Sequence, residues 1–452
     1  KFYDFKKKFK DVGIVTGDVQ INETGQVVVM TTEILRSILY REIFDKLNDV
    51  CYVIFDEAHY INDEDRGVVW EEIIIMLPKH IKLVLLSATI PNCHEVAGWI
   101  GKVRQQTINV ILTKKRPIPL EHVLYYGDSS ANKNAKLTVV DTDGQFLIGN
   151  FLAVKRILNE KSEKQSSYSN KFYGPQHFSF LLDHLKCANK LPCIIFSFSR
   201  KGCSETCEKI SKNLDFTTKT EKFLIKKFFE SCISRITKKD QDLPQIRLFR
   251  QYCQKGFAVH HSGILPLLRE IVEILFQREL VKVLFATETF AMGVNMPAKT
   301  VVFSSLKKFS GNDNGNRYLL SSEYIQMAGR AGRRGQDTTG SVYIMSTFHL
   351  PSEQEFKEMT IGNAMRVTSR FRLTYGMIMN LLSGNKTDNQ RIENVMRSNF
   401  SEFIQFSSFQ ETRKKILRLE VELNKFKTNS ISCAVCCDLQ AYFEMCQKYS
   451  TI

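Results

Sequence analysis

The sequence predicts an α/β protein in which two groups of buried parallel strands precede a helical region. Three observations support this prediction: seven apolar runs have the length of strands, helix-length segments separate them, and most runs are continuous rather than alternating. Continuous runs of this kind are typical of sheets that are covered on both faces. The runs lie at residues 27–30, 51–55, 83–86, 193–196, 281–285, 300–303 and 342–345. The first group ends near Leu120, the second begins near Leu191, and helical patterns take over after Leu350.

Length, charge and cysteine usage narrow the class of protein. A chain of 452 residues suggests about two to four domains. Lys and Arg (63) exceed Asp and Glu (48) by 15, which favours a polyanionic partner, nucleic acid before an anionic membrane. No run approaches the ~20 uncharged apolar residues of a membrane-spanning helix, and the Lys- and Phe-rich first residues hold no signal core. The 12 cysteines predict reduced thiols in a cytosolic or nuclear protein, although Cys433-x-x-Cys436-Cys437 has the spacing of half a zinc site.

Two adjacent acids follow the second apolar run. Residues 51–55 lead directly into Asp56-Glu57-Ala58-His59, and open α/β sheets bind their ligands at the carboxyl ends of strands. Asp56 is suited to hold Mg²⁺ through water, and Glu57 to orient and deprotonate an attacking water. The alternative is an acidic cap on a following helix.

Two further strands end in small polar residues. Residues 83–86 lead into Ser87-Ala88-Thr89, whose hydroxyls suit hydrogen bonds to the acidic segment or, alternatively, a cap on the next helix. Thr287-Glu288-Thr289 follows the run at 281–285, and Gly293 and Asn295 come shortly after it. Such residues offer backbone N–H groups and short donors to phosphate oxygens. An ordinary polar turn is the alternative.

A segment rich in glycine and arginine gives the most specific signal. It reads Gln326-Met-Ala-Gly-Arg330-Ala-Gly-Arg333-Arg-Gly. On a helix, Gln326, Arg330 and Arg333 share one face, because they are four and then three residues apart. Arginines beside glycines can approach a γ-phosphate closely. A surface arginine cluster does not explain the glutamine or the glycine spacing.

Together these segments resemble the motifs of a superfamily 2 helicase. Asp-Glu-Ala-His at 56–59 resembles motif II, Ser-Ala-Thr at 87–89 motif III, and Gln-x-x-Gly-Arg-x-Gly-Arg at 326–333 motif VI. The segments at 16–19, 30–37, 56–63, 259–266 and 371–375 resemble the superkiller-like (Ski-like) group. Those at 66–70 and 397–402 are most similar to the cytoplasmic superkiller RNA helicase, and the nuclear exosome-associated relative is the nearest competitor.

The resemblance implies ATP and Mg²⁺ as cofactors and assigns roles to individual residues. The catalytic residues that it implies are Asp56, Glu57, His59, Gln326, Arg330 and Arg333, with Arg333 as the arginine finger. Asp56 and Glu57 hold the metal. The implied nucleotide-binding residues are Asp56, Glu57, Gly293, Asn295, Gln326, Arg330 and Arg333. The implied coupling residues are Ser87, Ala88 and Thr89. The implied RNA contacts are Thr16, Gly17, Thr31, Thr32, Glu33, Arg36, Ser199, Arg200, Thr287, Glu288 and Thr289.

The resemblance also implies a division into domains. We expect the carboxyl-terminal part of a first RecA-like domain at 1–125, a linker or insertion at 126–190, and a second RecA-like domain at 191–350. A winged-helix region at 351–405 and the start of a helical stalk at 406–452 follow. A coiled-coil-like stripe indicates the stalk, with an amphipathic core helix as the alternative; it consists of Thr412, Ile416, Leu419, Leu423 and Phe426. The family's phosphate-binding loop, Gly-x-x-x-x-Gly-Lys-Ser/Thr, does not occur in the sequence. We therefore expect an internal fragment of a longer protein, with an incomplete first domain and little ATPase activity of its own.

The function implied is that of an ATP-dependent 3′-to-5′ RNA helicase that feeds RNA to the cytoplasmic exosome. The partners implied are RNA, the TPR and WD-repeat subunits of a Ski complex, and the exosome, with no membrane and a cytoplasmic location. Two alternatives stay open: a nuclear exosome-associated helicase, and a non-catalytic RNA-binding fragment whose binding depends on salt.

Overall fold

The computed structural model describes two compact units. The described residues are 1–41, 47–63, 66–88, 90–113, 116–127, 129, 132–164, 174–234, 236–293, 296–309, 315–346, 350–362, 365–382, 389–428 and 439–449. Unit 1 comprises Lys1–Ile111 and Arg366–Ile452, and unit 2 comprises Leu112–Met365. Both contain parallel strands and helices, which confirms the predicted α/β class.

The first part of unit 1 contains two small sheets. Its elements are α1 (Phe2–Lys8), β1 (Val12–Val15), β2 (Gln20–Ile21), β3 (Val27–Met30), α2 (Thr32–Tyr40), β4 (Tyr52–Asp56), a 3₁₀ helix (Ala58–Asn62), α3 (Gly67–Met76), β5 (Lys82–Leu86) and α4 (Cys93–Arg104). Strand β1 runs parallel to β3, and β4 runs parallel to β5. Because parallel strands share one carboxyl edge, the segments that follow β4 and β5 begin side by side, as do those that follow β1 and β3.

Helix α3 supplies much of the core of unit 1. Its Ile73 and Ile74 are fully buried, and Trp70 packs on Phe55 of β4 with ring centroids 4.8 Å apart. The helix is apolar on most sides because its neighbours cover it all round. Helix α3 is thereby packed against β4, the strand that ends at Asp56.

Unit 2 is built on one seven-stranded sheet. Its elements are β6 (Leu120–Tyr125), β7 (Lys136–Val140), α5 (Ile148–Lys164), α6 (Pro175–Cys187), β8 (Cys193–Phe196), α7 (Arg200–Asn213), α8 (Lys219–Ile233), α9 (Lys238–Gln241), α10 (Pro244–Gln254), β9 (Phe257–His260), α11 (Pro266–Gln277), β10 (Val283–Ala286), α12 (Glu288–Gly293), β11 (Thr300–Phe303), β12 (Lys307–Phe309), β13 (Asn316–Tyr318), α13 (Ser321–Ala328), β14 (Gly340–Met345) and α14 (Glu353–Ile361). The strand order is β7-β6-β14-β11-β8-β10-β9. Only β7 is antiparallel to its neighbour among these strands. The central strands are buried along their whole length, as their continuous apolar sequences predict.

The boundaries between domains differ from the sequence prediction. Residues 126–190 are predicted as a linker or insertion, but their described parts form β7, α5 and α6, and unit 2 begins at Leu112. The side chains of Phe151, Leu181 and Leu185 on α5 and α6 are fully buried in the unit 2 core. Residues 165–173 of the expected linker lie outside the described residues.

The helical region returns the chain to unit 1. It contains α15 (Tyr375–Leu382), α16 (Asn389–Arg397), α17 (Phe400–Thr428) and α18 (Leu439–Tyr449). The predicted apolar stripe lies on α17, where Ile416, Leu419 and Leu423 are exposed. Among the residues that the structure describes, no helix has the length and apolar character needed to cross a membrane. The half zinc site at 433–437 lies outside the described residues.

Strand β6 of unit 2 contains two polar residues, the half-buried Glu121 and the buried His122, and each has a partner. Glu121 accepts hydrogen bonds from Lys190 Nζ (2.8 Å) and Ser341 Oγ (2.6 Å). A ring nitrogen of His122, Nδ1, lies 2.6 Å from the Tyr324 hydroxyl. Burial lowers the pKa of His122 to about 4, with a further contribution from Arg116. The imidazole is therefore neutral in the folded protein at neutral pH.

We expect acidification to destabilise unit 2 through His122. A histidine whose pKa is about 4 when folded and about 6.5 when unfolded stabilises the fold above pH 6.5, and this contribution, about 3 kcal/mol, is lost as the pH falls towards 4. Amide hydrogen exchange of β6 measured between pH 7 and 4 tests this. The His122→Gln variant, which does not titrate, is expected to have a flatter pH profile; an unchanged profile would contradict the prediction.

Candidate functional site

The predicted acidic pair lies at the carboxyl end of β4. Asp56 is the last residue of the strand and is in register with Leu86 at the end of β5. The side chains of Asp56 and Glu57 are 41% and 43% exposed. The Asp56 carboxylate is paired with Lys1 Nζ. Both carboxylates are thus open to a ligand at the edge of the sheet.

Glu57 has a backbone conformation that side-chain-bearing residues seldom adopt. Its φ of 59° and ψ of 47° lie in the left-handed region, at the residue that precedes the 3₁₀ helix. A residue with a Cβ atom pays about 1–2 kcal/mol for this conformation. The turn lets the chain leave the strand and enter the 3₁₀ helix at once. Glu57 is the N-cap residue of that helix, but its side chain makes no capping hydrogen bond, so it does not act as an ordinary acidic cap.

His59 lies beside Glu57. Its Nδ1 atom is 3.5 Å from Glu57 Oε2, and its ring stacks on Tyr60 with centroids 5.0 Å apart. Burial lowers the pKa of His59, and the nearby Glu57 charge opposes this only in part. A neutral imidazole is therefore positioned against the carboxylate that we predict to act as a base.

The segment after β5 begins next to this pair. Ser87 and Ala88 are exposed and follow Leu86 directly, whereas Thr89 lies outside the described residues. The alternative that Ser87 or Thr89 caps the next helix is wrong, because α4 begins at Cys93 and its N-cap residue is Asn92. The parallel register of β4 and β5 places Ser87 alongside Glu57 at the shared edge.

The donor set of the acidic pair fits Mg²⁺ only with outside ligands. Within the described ranges, no group of three or more His, Cys, Asp or Glu side chains converges to hold a metal. Mg²⁺ prefers hard oxygens, keeps several waters, and is commonly held by one or two carboxylates together with substrate phosphates. Two half-exposed carboxylates match that mode of binding rather than a complete protein cage.

Two of the segments predicted to contact RNA meet at the edge of the first sheet. Val15 of β1 is in register with Met30 of β3, so Thr16 and Thr31 follow neighbouring strand ends. Thr16 closes a tight turn: its Oγ1 accepts from the Val19 amide (3.0 Å), and its own amide donates to the Val19 carbonyl (2.8 Å). Gly17 in that turn faces open space. Thr31 is the N-cap residue of α2, and Thr32 is the first residue of that helix.

Glu33 and Arg36 on α2 have protein partners. Arg66 Nε donates to Glu33 Oε1 (2.9 Å), and Arg36 Nη1 donates to Glu72 Oε2 (3.4 Å). Glu72 is buried on α3. The Arg36–Glu72 pair joins α2 to α3, and the Glu33–Arg66 pair joins α2 to the N-cap residue of α3. Both predicted RNA contacts therefore also have a structural role.

The corresponding segments of unit 2 also meet at one edge. Phe196 of β8 is in register with Ala286 of β10, so Ser199 and Arg200 start close to Thr287. Ser199 caps α7 by accepting from the Gly202 amide (3.1 Å).

The segment after β10 forms a short helix rather than the polar turn of the alternative interpretation. The hydroxyls of Thr287 and Thr289 are 2.9 Å apart, and Glu288 accepts from Lys308 Nζ (2.8 Å). The helix, α12, ends at Gly293, and Asn295 lies outside the described residues.

The expectation that Gln326, Arg330 and Arg333 share one helix face is wrong. Helix α13 ends at Ala328, so only Gln326 lies on it. After the helix, Gly332 has a φ of 84°, and a Cβ there would lie 2.6 Å from Ile118 Cγ2, so only glycine fits this turn. The glycine spacing of the motif therefore builds a loop, and the arginines project from that loop.

Side chains that sequence reasoning missed hold this loop. Arg116 donates from Nη2 to the carbonyls of Gly329 (2.7 Å) and Ala331 (3.2 Å), and burial lowers its pKa. The Ala298 amide donates to the Arg330 carbonyl (2.9 Å). Since Arg116 is more than 200 residues away in sequence, no local pattern signals its role.

The two arginines of the loop have different partners. Arg330 Nη2 donates to the Ala291 carbonyl on α12. Arg333 donates from Nε (2.8 Å) and Nη2 (3.0 Å) to Asp337 and from Nη1 to Glu279, and the bonds to Asp337 raise its pKa. Arg333 is therefore held in one orientation by carboxylates of its own unit, and neither Asp337 nor Glu279 was predicted.

Comparison with known proteins bears on these sites. Residues 4–96 match the family model for the DEAD/DEAH box helicase, and residues 220–335 match that for the helicase conserved C-terminal domain. The two matches contain the acidic pair and the arginine loop respectively.

Relatives match over most of the chain. Superkiller complex protein 2 of Homo sapiens is 46% identical over 89% of this chain and 32% of its own length. Antiviral helicase SKI2 of Saccharomyces cerevisiae is 41% identical over 99% of the chain and 38% of its own length. Exosome RNA helicase MTR4 of Homo sapiens is 40% identical over 94% and 40%. The chain thus spans between a third and two fifths of these relatives, and it belongs to the Ski-like group of superfamily 2 helicases.

Proposed function

We propose that this chain forms the ATP-hydrolysing and RNA-binding part of an RNA helicase that moves 3′ to 5′ and supplies RNA to exosome-linked decay in the cytoplasm. The pair of half-exposed carboxylates, Asp56 and Glu57, at the carboxyl end of β4 carries this proposal. The similarity to an exosome RNA helicase supports RNA as the nucleic acid.

The chemistry assigned to unit 1 is activation of water. Glu57 takes a proton from a water molecule, whose oxygen then attacks the γ-phosphorus of ATP. The bond from that phosphorus to the bridging oxygen breaks, and ADP and phosphate leave. Asp56 would hold Mg²⁺ together with the phosphates, and the bound ion would supply positive charge at the phosphate oxygens. The neutral His59 beside Glu57 limits how the carboxylate can turn.

The chemistry assigned to unit 2 is stabilisation of negative charge. We assign Arg330 and Arg333 to the γ-phosphate oxygens, where planar guanidinium groups bind with two donors. Gln326 on α13 is assigned to orientation of the nucleotide and water. What supports the assignment of the two arginines is the loop that contains them: Gly332 shapes this loop, and Arg116 holds its backbone.

RNA binding is assigned to the strand ends of both units. The assigned residues follow the ends of strands that are neighbours in their sheets. They are Thr16, Thr31 and Thr32 in unit 1, and Ser199, Arg200 and Thr287 in unit 2. Hydroxyls, backbone amides and arginine suit phosphate and sugar contacts, which carry no sequence preference. A net charge of +15 supports a polyanionic ligand.

We expect RNA, and not DNA of the same sequence, to stimulate ATP turnover by the native protein that contains this chain. We further expect it to displace a strand from an RNA duplex with a 3′ overhang and not from one with a 5′ overhang. The 452-residue chain by itself is expected to bind RNA, more weakly at higher salt, with little turnover, because its sequence has no Gly-x-x-x-x-Gly-Lys-Ser/Thr segment.

Each arm of this experiment has an outcome against the proposal. Absence of RNA-stimulated turnover in the native protein would favour the non-catalytic RNA-binding alternative. Equal stimulation by DNA would contradict the assignment of RNA as the nucleic acid. Fractionation of cells with an antibody to the chain separates the cytoplasmic assignment from the nuclear alternative, which the similarity to an exosome RNA helicase keeps open.

A further inference from the structure

An extended segment of unit 1 is hydrogen-bonded to three polar side chains that come shortly after the predicted catalytic motifs in the sequence. This segment, residues 366–371, is called the strap here. It follows the last residue of unit 2 along the chain and precedes α15. The three side chains are those of Asn62, Glu71 and Asn92.

The two asparagines bind the strap as a neighbouring strand would. Asn62 donates from Nδ2 to the Arg366 carbonyl (3.0 Å) and accepts at Oδ1 from the Thr368 amide (2.9 Å). Asn92 donates to the Val367 carbonyl (2.9 Å) and accepts from the Val367 amide (2.8 Å). Each amide group thus makes two complementary bonds with the backbone of the strap, and Val367 is buried between them.

Glu71 joins the strap to the longest helix. Its carboxylate is 0% exposed, and it accepts from the amides of Arg370 (2.7 Å) and Phe371 (3.1 Å) and from the Ser369 hydroxyl (3.0 Å). It also accepts from the amide of Phe400, the first residue of α17 (3.1 Å). A buried carboxylate with four donors is fully satisfied, and at a helix N-terminus it meets amides that have no partner within the helix.

Further contacts make this attachment close-packed. Arg370 Nε donates to the Asn62 carbonyl (3.0 Å), and its side chain lies over Gly67, where a Cβ atom would come within 2.8 Å of it. Trp99 on α4 donates from Nε1 to the Ser398 carbonyl (2.7 Å), just before α17. Lys102 on α4 lies over the ring of Phe406 on α17, 4.5 Å from its centroid.

The three side chains belong to the elements that follow the two predicted nucleotide-site segments of unit 1. Asn62 is the last residue of the 3₁₀ helix that starts directly after Glu57, and Glu71 lies on the next helix, α3. Asn92 is the N-cap residue of α4, which follows Ser87 and Ala88. Because a close-packed and fully bonded contact transmits displacement rather than absorbing it, neither nucleotide-site segment can shift without moving the strap.

We propose that Asn62, Glu71 and Asn92 are positioning residues that couple the nucleotide site of unit 1 to the strap and to the base of α17. This inference rests on the proposed function: ATP binding and hydrolysis at Asp56 and Glu57 displace the 3₁₀ helix and the start of α4, and the three side chains pass that displacement to the helical region. Loosening the attachment uncouples RNA movement from ATP turnover without removing a group that contacts ATP.

The test compares Asn62→Asp with the wild type in the native protein. Aspartate has the same shape, but it loses the donor to the Arg366 carbonyl and sets a negative oxygen against it. We expect ATP turnover in the presence of RNA to stay close to wild type, while the number of RNA strands displaced per ATP falls roughly 2- to 30-fold. Asn92→Asp is expected to act in the same direction. Asn150→Asp, at an asparagine that bonds a backbone carbonyl in unit 2, is the matched control and is expected to change neither quantity.

Hydrogen exchange separates failure of this inference from failure of the proposed function. In the wild type, binding of a non-hydrolysable ATP analogue is expected to change exchange at the amides of Thr368, Phe371 and Phe400, and in Asn62→Asp this response is expected to vanish. If the wild type hydrolyses ATP but its strap does not respond to the nucleotide, the inference is wrong and the function stands. If turnover and strand displacement fall in proportion, the inference is equally wrong. A wild type that neither binds nor hydrolyses ATP refutes both.

Discussion

Replacing Glu57 with glutamine is expected to lower RNA-stimulated ATP turnover by the native protein about 100-fold or more, the usual scale for loss of a general base. Glutamine has the size of glutamate and tolerates the same left-handed backbone, with its φ of 59°. It still reaches towards His59, whose Nδ1 is 3.5 Å away in the wild type. Only the ability to take a proton from water is lost. Turnover is measured by phosphate release at saturating ATP and RNA.

Two comparisons make this result specific to Glu57. Glu270→Gln removes the charge of an exposed glutamate on α11 and is expected to leave turnover unchanged. ATP binding by Glu57→Gln, measured with a fluorescent analogue, is expected to stay near wild type, because Asp56, the residue that we propose to hold Mg²⁺, is unchanged. Turnover of Glu57→Gln within a few-fold of wild type would refute the assignment of the base.

Replacing Arg333 with alanine is expected to lower turnover about 1,000-fold, the lower end of the scale for an arginine finger. Arg333→Lys is expected to recover little of this loss, since an ammonium group lacks the planar fork that bonds two oxygens at once. The side chain is oriented by Asp337 through Nε and Nη2, with distances of 2.8 and 3.0 Å. Steady-state kinetics with thermal melting of each variant provide the measurement.

The bonds to Asp337 make a purely structural role the main competing explanation. Asp337→Asn breaks the same ion pair but keeps the guanidinium group. If Arg333 acts on phosphate, Asp337→Asn is expected to lose far less turnover than Arg333→Ala at a similar change in melting temperature. Equal losses in the two variants would show that Arg333 serves only to hold its loop.

The buried strands of unit 2 were the easiest elements to predict. The runs at 193–196 and 300–303 coincide with β8 and β11, because a central parallel strand is apolar on both faces and is therefore continuous in sequence. Strand β6 went unpredicted, since Glu121 and His122 interrupt its pattern. The fold accommodates them with Lys190, Ser341 and Tyr324, which lie at least 69 residues away.

The candidate sites likewise contain features that local sequence predicted and features that it did not. Adjacent acids after an apolar run are a local signal, and the structure places Asp56 and Glu57 at the end of β4 as that signal predicts. The helical arrangement of Gln326, Arg330 and Arg333 was wrong, because spacing alone does not reveal that the helix ends at Ala328 and that Gly332 forms a turn against Ile118. The linker expected at 126–190 was inferred from polar composition, whereas Phe151 and Leu181 within it are buried in unit 2.

By itself, the sequence determined the α/β class, the central strands, the motifs and the family, all of which depend on residues close together in the chain. Only the tertiary structure decided which strands are neighbours, where unit 2 begins, how Arg116 and Asp337 fix the arginine loop, and how Asn62, Glu71 and Asn92 hold the strap. The physical reason is that these features are contacts between polar groups far apart in sequence. Asn62 and Thr368, for example, are 306 residues apart, and each becomes recognisable as a partner only when folding brings them within hydrogen-bond distance, 2.9 Å.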